Sequence, residues 1–140
     1  MATRHHARMA VVSLLYAYDL GNETTVEHTD IILEEKRIRN RQREFALALF
    51  DGTMKNLTTI DEMIVTHLKG WDFERLGAIE RATLRLGAYE ALYSKLDSAV
   101  IINEAIEVVK AFGAEQSPKF INGVLDAIAM QRRGENEQTK

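Results

Sequence analysis

FERLGAIERATLRLGAYEALY, running from Phe73 to Tyr93, is the stretch that decides the fold. Its apolar residues Ile79, Ala82, Leu84, Leu86, Ala88, Tyr89, Leu92 and Tyr93 cover more than one face of a helix. A helix apolar on several sides is packed by neighbours on each side, so this segment is read as a central helix. Downstream, Ala99 to Phe112 predicts a helix with Ile101, Ile102, Ala105, Ile106, Val108, Val109 and Phe112 inward and Gly113 as terminator. Ser117 as N-cap and Pro118 at the first helical position open a last helix with the core stripe Ile121, Val124, Leu125 and Ile128. Upstream, Leu57, Ile60, Ile64 and Leu68 repeat at helical intervals up to Gly70, and acidic Asp61 and Glu62 suit a helix start. A long helix begins near Arg39 and passes through Gly52, Ile31 to Leu33 make a short helical turn, and Asn22 to Thr29 reads as loop. The first helix spans Arg4 to Asp19 and closes at Gly21. No run alternates apolar and polar for long, and no hairpin turn joins two β-rich segments. The expected class is all-α: one domain over residues 1–134, then a polar tail at 135–140.

Of the 140 residues, 46% are hydrophobic and 28% charged, the balance of a soluble globular domain large enough to bury most of its unfolded surface. The absence of cysteine excludes disulfides, thiol nucleophiles and cysteine-bound metals. Eighteen Lys and Arg against 21 Asp and Glu leave a net charge of -3, so nucleic-acid binding would require clustered cations. No apolar run approaches the ~20 residues that cross a bilayer. Arg4, His5, His6 and Arg8 before the apolar stretch Met9 to Tyr18 imitate a signal peptide. Ser13 interrupts that stretch, however, and no small-x-small cleavage site precedes Asp19. The expected location is cytoplasmic, with no membrane partner.

Catalysis has no foothold in the motifs. His5, His6, His28 and His67 form no H-E-x-x-H pair, and glycine loops of nucleotide-binding type and G-x-S-x-G elbows are absent. Paired acids such as Glu34-Glu35 and Asp61-Glu62 read as solvated helix faces. No enzyme activity, cofactor or metal is expected. The cations carry more information. Lys36, Arg37, Arg39, Arg41 and Arg43 place five positive charges in eight residues. If helical, Arg37 and Arg41 share one face and Arg39 and Arg43 another. The run is either a phosphate-binding surface or a solvated stretch offset by Glu34, Glu35 and Glu44. In the N-terminal group Arg4, His5, His6 and Arg8, only the arginines are fully charged at neutral pH. At the start of the last helix, free N–H groups and Lys119 favour an anion. Phe120 falls to one side of the core stripe there, either as a stacking surface for a base or as filler between helices. Tyr16 is open to the same two readings.

Three segments together resemble the NusB transcription-antitermination family. They are Thr3 to Tyr16, Ile79 to Glu90, and Ile102 to Glu107 with Lys110 to Gly113 and Ser117 to Asp126. The resemblance spans the chain and is weakest from Asn22 to Leu57. It implies a single compact all-helical domain of two packed bundles that catalyses no reaction. It also implies binding, with the ribosomal protein NusE, to single-stranded boxA RNA of ribosomal RNA leaders within an RNA polymerase antitermination complex. On matching positions, the RNA contacts would be Arg4, His5, His6 and Arg8 with Tyr16 close by, and then Gln116, Ser117, Lys119 and Phe120. Glu80 would face the protein partner. Arg37, Arg39, Arg41 and Arg43 are candidate additional phosphate contacts.

The family usually has arginine where this chain has His5 and His6. The exchange removes charge at neutral pH, so RNA affinity is expected to rise below about pH 6.5. Two other functions fit the sequence: a helical protein–protein adapter without RNA binding, and a relative of the NusB-like domain of RNA methyltransferases. The second lacks a glycine-rich cofactor-binding βαβ unit here. A homodimer is compatible with the same residues.

Overall fold

The structure, a computed structural model, describes residues 3–21, 25–113 and 118–138, with side chains to residue 134. The described residues form seven α-helices and no strand. The helices are α1 (Arg4–Asp19), α2 (Thr29–Glu35), α3 (Asn40–Lys55), α4 (Leu57–Thr66), α5 (Ala78–Tyr93), α6 (Ser98–Ala111) and α7 (Pro118–Gln138). None is long and apolar enough to cross a membrane.

The apolar spacing sorts them into two bundles around α5. In the first core, Val11, Leu14 and Leu15 of α1 meet Leu33 of α2, Phe50 of α3, and Ala82 and Leu86 of α5. In the second, Ile60 and Ile64 of α4 meet Val109 of α6, Ile121, Leu125 and Ile128 of α7, and Leu84 and Ala88 of α5. Every residue from Ala82 to Ala88 is buried, as a helix apolar on several sides requires. Gly87 sets the closest approach. A Cβ built there would lie 2.8 Å from a methyl carbon of Leu125, so α5 and α7 pack tightly only because the side chain is missing.

Two expectations are corrected. The stretch Phe73 to Tyr93 is not one helix: Phe73–Arg75 forms a 3-10 turn before α5. Asp72 accepts a hydrogen bond from the Glu74 N–H at 3.0 Å and holds that turn, while Leu76 and Gly77 are extended. The carbonyls of Phe73 and Leu76 accept instead from Arg81 Nη1, at 3.0 and 3.3 Å. At the other end, α7 continues to Gln138, past the start of the expected tail. Gly134, the weakest helix former in that region, costs only about 1 kcal/mol.

A partly buried ion network ties α1 and α4 to α5. Asp19 accepts from Arg81 Nε at 2.8 Å and from Arg85 Nη1 at 3.2 Å, and Asp61 accepts twice from Arg85 at 2.9 Å. Asp61 is therefore a structural acid and not part of a solvated face. For Arg85, burial alone would lower the guanidinium pKa, but the hydrogen bond to Asp61 and the charges of Asp61 and Asp19 outweigh it.

Candidate nucleic-acid interface

At the N-terminus of α1 the Thr3 hydroxyl accepts from the His6 N–H, and His6 Nδ1 accepts from the Thr3 N–H, both at 3.2 Å. This is a capping box with histidine in the position usually held by Glu or Gln. It fixes His6 at the exposed head of the helix. Arg4 is exposed as well, its guanidinium 4.9 Å from the centre of the Phe45 ring. His5 is partly covered, with Nδ1 3.2 Å from Glu104 Oε2 on α6.

Arg8 does not join them at the surface. It is only 5% exposed, and its Nε and Nη2 each donate at 2.9 Å to the two oxygens of Glu90. Glu104 lies 4.0 Å from Nη1. Burial alone would lower the Arg8 pKa, but the Glu90 hydrogen bond and the charges of Glu90 and Glu104 raise it overall. At this position, expected to contact RNA, the helix turns Arg8 inward and engages its charge within the fold.

Tyr16 is 36% exposed. Eleven residues after His5 it lies on nearly the same helix face, about 16 Å along the axis. Lys119 is exposed on the first turn of α7. Phe120 is half-buried against the second core and also meets Trp71, with ring centres 5.3 Å apart and planes tilted by 57°. Trp71 is 63% exposed and was missed in the sequence. The available signal was the chain's single tryptophan in a polar stretch, beside Lys69 and Gly70, where no core position calls for it. Phe112, expected inward, is 37% exposed. Gln116 and Ser117, including the expected N-cap of α7, lie outside the described residues. Glu80 sits half-buried on the first turn of α5, its carboxylate folded over Gly77.

The basic run is divided by the structure. Residues 36–39 are not helical, so the paired faces expected for a continuous helix do not form. Arg39 donates to Glu34 at 3.0 Å, and Arg43 to Asp30 at 2.6 Å. Lys36, Arg37 and Arg41 are exposed and have no ion-pair partner among the described residues. Also among the described residues, no group of three His, Asp or Glu side chains is placed to hold a metal.

Comparison with known proteins follows the same lines. The NusB family model matches residues 5–130. The chain is 72% identical to the transcription antitermination protein NusB of Sulfurimonas denitrificans, over 94% of this chain and 100% of that protein. It is similar to a crystal structure of the antitermination factors NusB and NusE in complex with dsRNA. That likeness has a TM-score of 0.82 and 35% identity, covering 91% of this chain and 96% of the other. A structure of NusB from T. maritima superposes with a TM-score of 0.80 at 36% identity, covering 92% of each chain.

Proposed function

The chain belongs to the NusB family, whose relatives are transcription antitermination factors and not enzymes; on that premise we propose that it binds single-stranded boxA RNA of ribosomal RNA leaders together with NusE. The observation that carries this reading is the exposed Trp71 ring set against the half-buried Phe120, beside Lys119. Two aromatic rings next to a cation and a helix N-terminus suit unpaired bases, whose faces are free to stack. A duplex offers phosphates but keeps its base faces stacked within the helix.

Arg4, His5, His6 and Tyr16 supply the second contact surface, and Gln116 and Ser117 are the further contacts that the family resemblance implies. Arg8 contributes by positioning α1. Glu80 is the candidate contact to NusE. Cytoplasmic location and participation in an RNA polymerase complex belong to the same reading, and a homodimer is a further state open to this protein.

Fluorescence anisotropy with boxA RNA, a scrambled strand and the boxA strand in duplex form, each with and without NusE, tests the proposal. Selective binding to the single strand, strengthened by NusE, supports it. Equal affinity for all three RNAs, or binding of NusE with no effect on RNA, overturns it in favour of a helical adapter.

A further inference from the structure

A groove of about 910 Å³ lies between α1 and the segment joining α2 to α3. His6, Met9, Ala10 and Ser13 line it from α1, residues 36–39 from the joining segment, residues 40–42 from the start of α3, and Phe112 from the end of α6. That volume falls within the range of pockets that hold small organic ligands. No carboxylate is among its lining residues, whereas Lys36, Arg37, Arg39 and Arg41 are.

The backbone of the joining segment supplies an independent observation. The Ile38 N–H donates to the Leu33 carbonyl at 2.9 Å and the Arg37 N–H to the Glu34 carbonyl at 3.0 Å. That double bond pattern ends a helix with a left-handed residue, and glycine is the usual occupant. Here the residue is Arg37, at φ 58, with Ile38 buried behind it against Leu33. A left-handed arginine costs about 1 kcal/mol relative to glycine. The fold thus carries an arginine at a position where its own stability favours glycine. The side chain forms no ion pair among the described residues. Strain of this kind, facing a cation-lined groove, is evidence of use by a ligand.

We propose that this groove binds the sugar–phosphate backbone of single-stranded RNA flanking the primary element, with Arg37, Arg41 and Lys36 on phosphates and Phe112 against a base. The inference rests on the RNA-binding reading above. His6 makes the two surfaces continuous, since it lies both at the head of α1 and in the groove.

The test compares a minimal boxA oligonucleotide with the same strand extended by unpaired uridines, and with oligouridine alone, at two salt concentrations. Each phosphate contact is worth roughly threefold in affinity near physiological salt, so three contacts should let wild type bind the extended strand roughly 30-fold more tightly. R37G/R41Q, which leaves Lys36 in place, should lose about tenfold of that gain, and its log–log salt slope on the extended strand should be shallower by about 1.4. Because R37G relieves backbone strain, its loss of binding cannot be assigned to unfolding. K95Q/R132Q removes the same charge from exposed positions away from the groove and should keep the gain. An equal loss in that control, or no gain in wild type, overturns the groove as a site. Failure of wild type to prefer boxA over a scrambled strand overturns the function proposed above instead. The groove is then judged on oligouridine alone, where identical affinity and salt slope in wild type and R37G/R41Q reject it.

Discussion

Arg8 and Glu90 are 82 residues apart in sequence and share two hydrogen bonds inside the protein. Removing one partner of such a pair strands a buried charge, so Arg8→Ala is expected to cost about 3–5 kcal/mol, read as a lower urea midpoint. Replacing both with apolar residues of similar volume, as in R8M/E90L, should cost much less than the two single changes added together. The raised pKa of Arg8 contributes stability that is complete below the ordinary arginine range and is lost only as pH rises through strongly alkaline values. A flat contribution of this pair across neutral pH, measured by comparing R8M/E90L with wild type, is the expected result. Trp71→Ala separates binding from folding, because the side chain is mostly exposed. Stability should stay within about 0.5 kcal/mol, while RNA affinity falls by the ~1–3 kcal/mol of a lost stacked base.

At the scale of elements, Gly87 is where a small change has a large reach. Gly87→Ala gains helix propensity worth about 1 kcal/mol but pushes a Cβ into Leu125, and overpacking of a filled core costs about 1–3 kcal/mol. A net fall in thermal midpoint is expected, with partial rescue when Leu125→Ala is added; a rise would show that α5 and α7 separate freely. Helix boundaries were legible where a local signal was strong: α1 runs from Arg4 to Asp19, and Gly21 and Gly113 have positive φ. The break between Phe73 and Ala78 was hidden, because it depends on Arg81 binding two carbonyls from the next helix. The roles of Arg8 and Asp61 were hidden for the same reason. A charged residue looks alike in sequence whether its partner is water or a carboxylate brought up by another helix. The aromatic at Phe120 could be picked out from its angle to the core stripe, whereas Trp71 becomes interesting only once the ring beside it is known.

For the whole molecule, both cores share α5, and the Asp19–Arg81–Arg85–Asp61 network fastens α1 and α4 onto it. Neither bundle has a complete core without that helix. Unfolding is therefore expected as one transition, with tryptophan fluorescence from the α4–α5 side coinciding with far-ultraviolet circular dichroism of all helices. Asp19→Ala, which leaves two partly buried guanidinium groups short of an acceptor, should lower stability by about 3 kcal/mol without splitting the transition. Two separated transitions would mean that the bundles fold independently.

The place of α5 in the chain also bears on the order of events during synthesis. The amino-terminal helix leaves the ribosome first, yet the carboxylate that receives its Arg8 is made 82 residues later. Until α5 emerges, Val11, Leu14 and Leu15 lack Ala82 and Leu86 from their eventual surroundings. The closure of such a long loop carries its entropy cost before any native contact repays it. The nascent chain thus holds an incomplete apolar surface for most of its translation, and it is the arrival of α5, not the gradual growth of a bundle, that lets the first core begin to close.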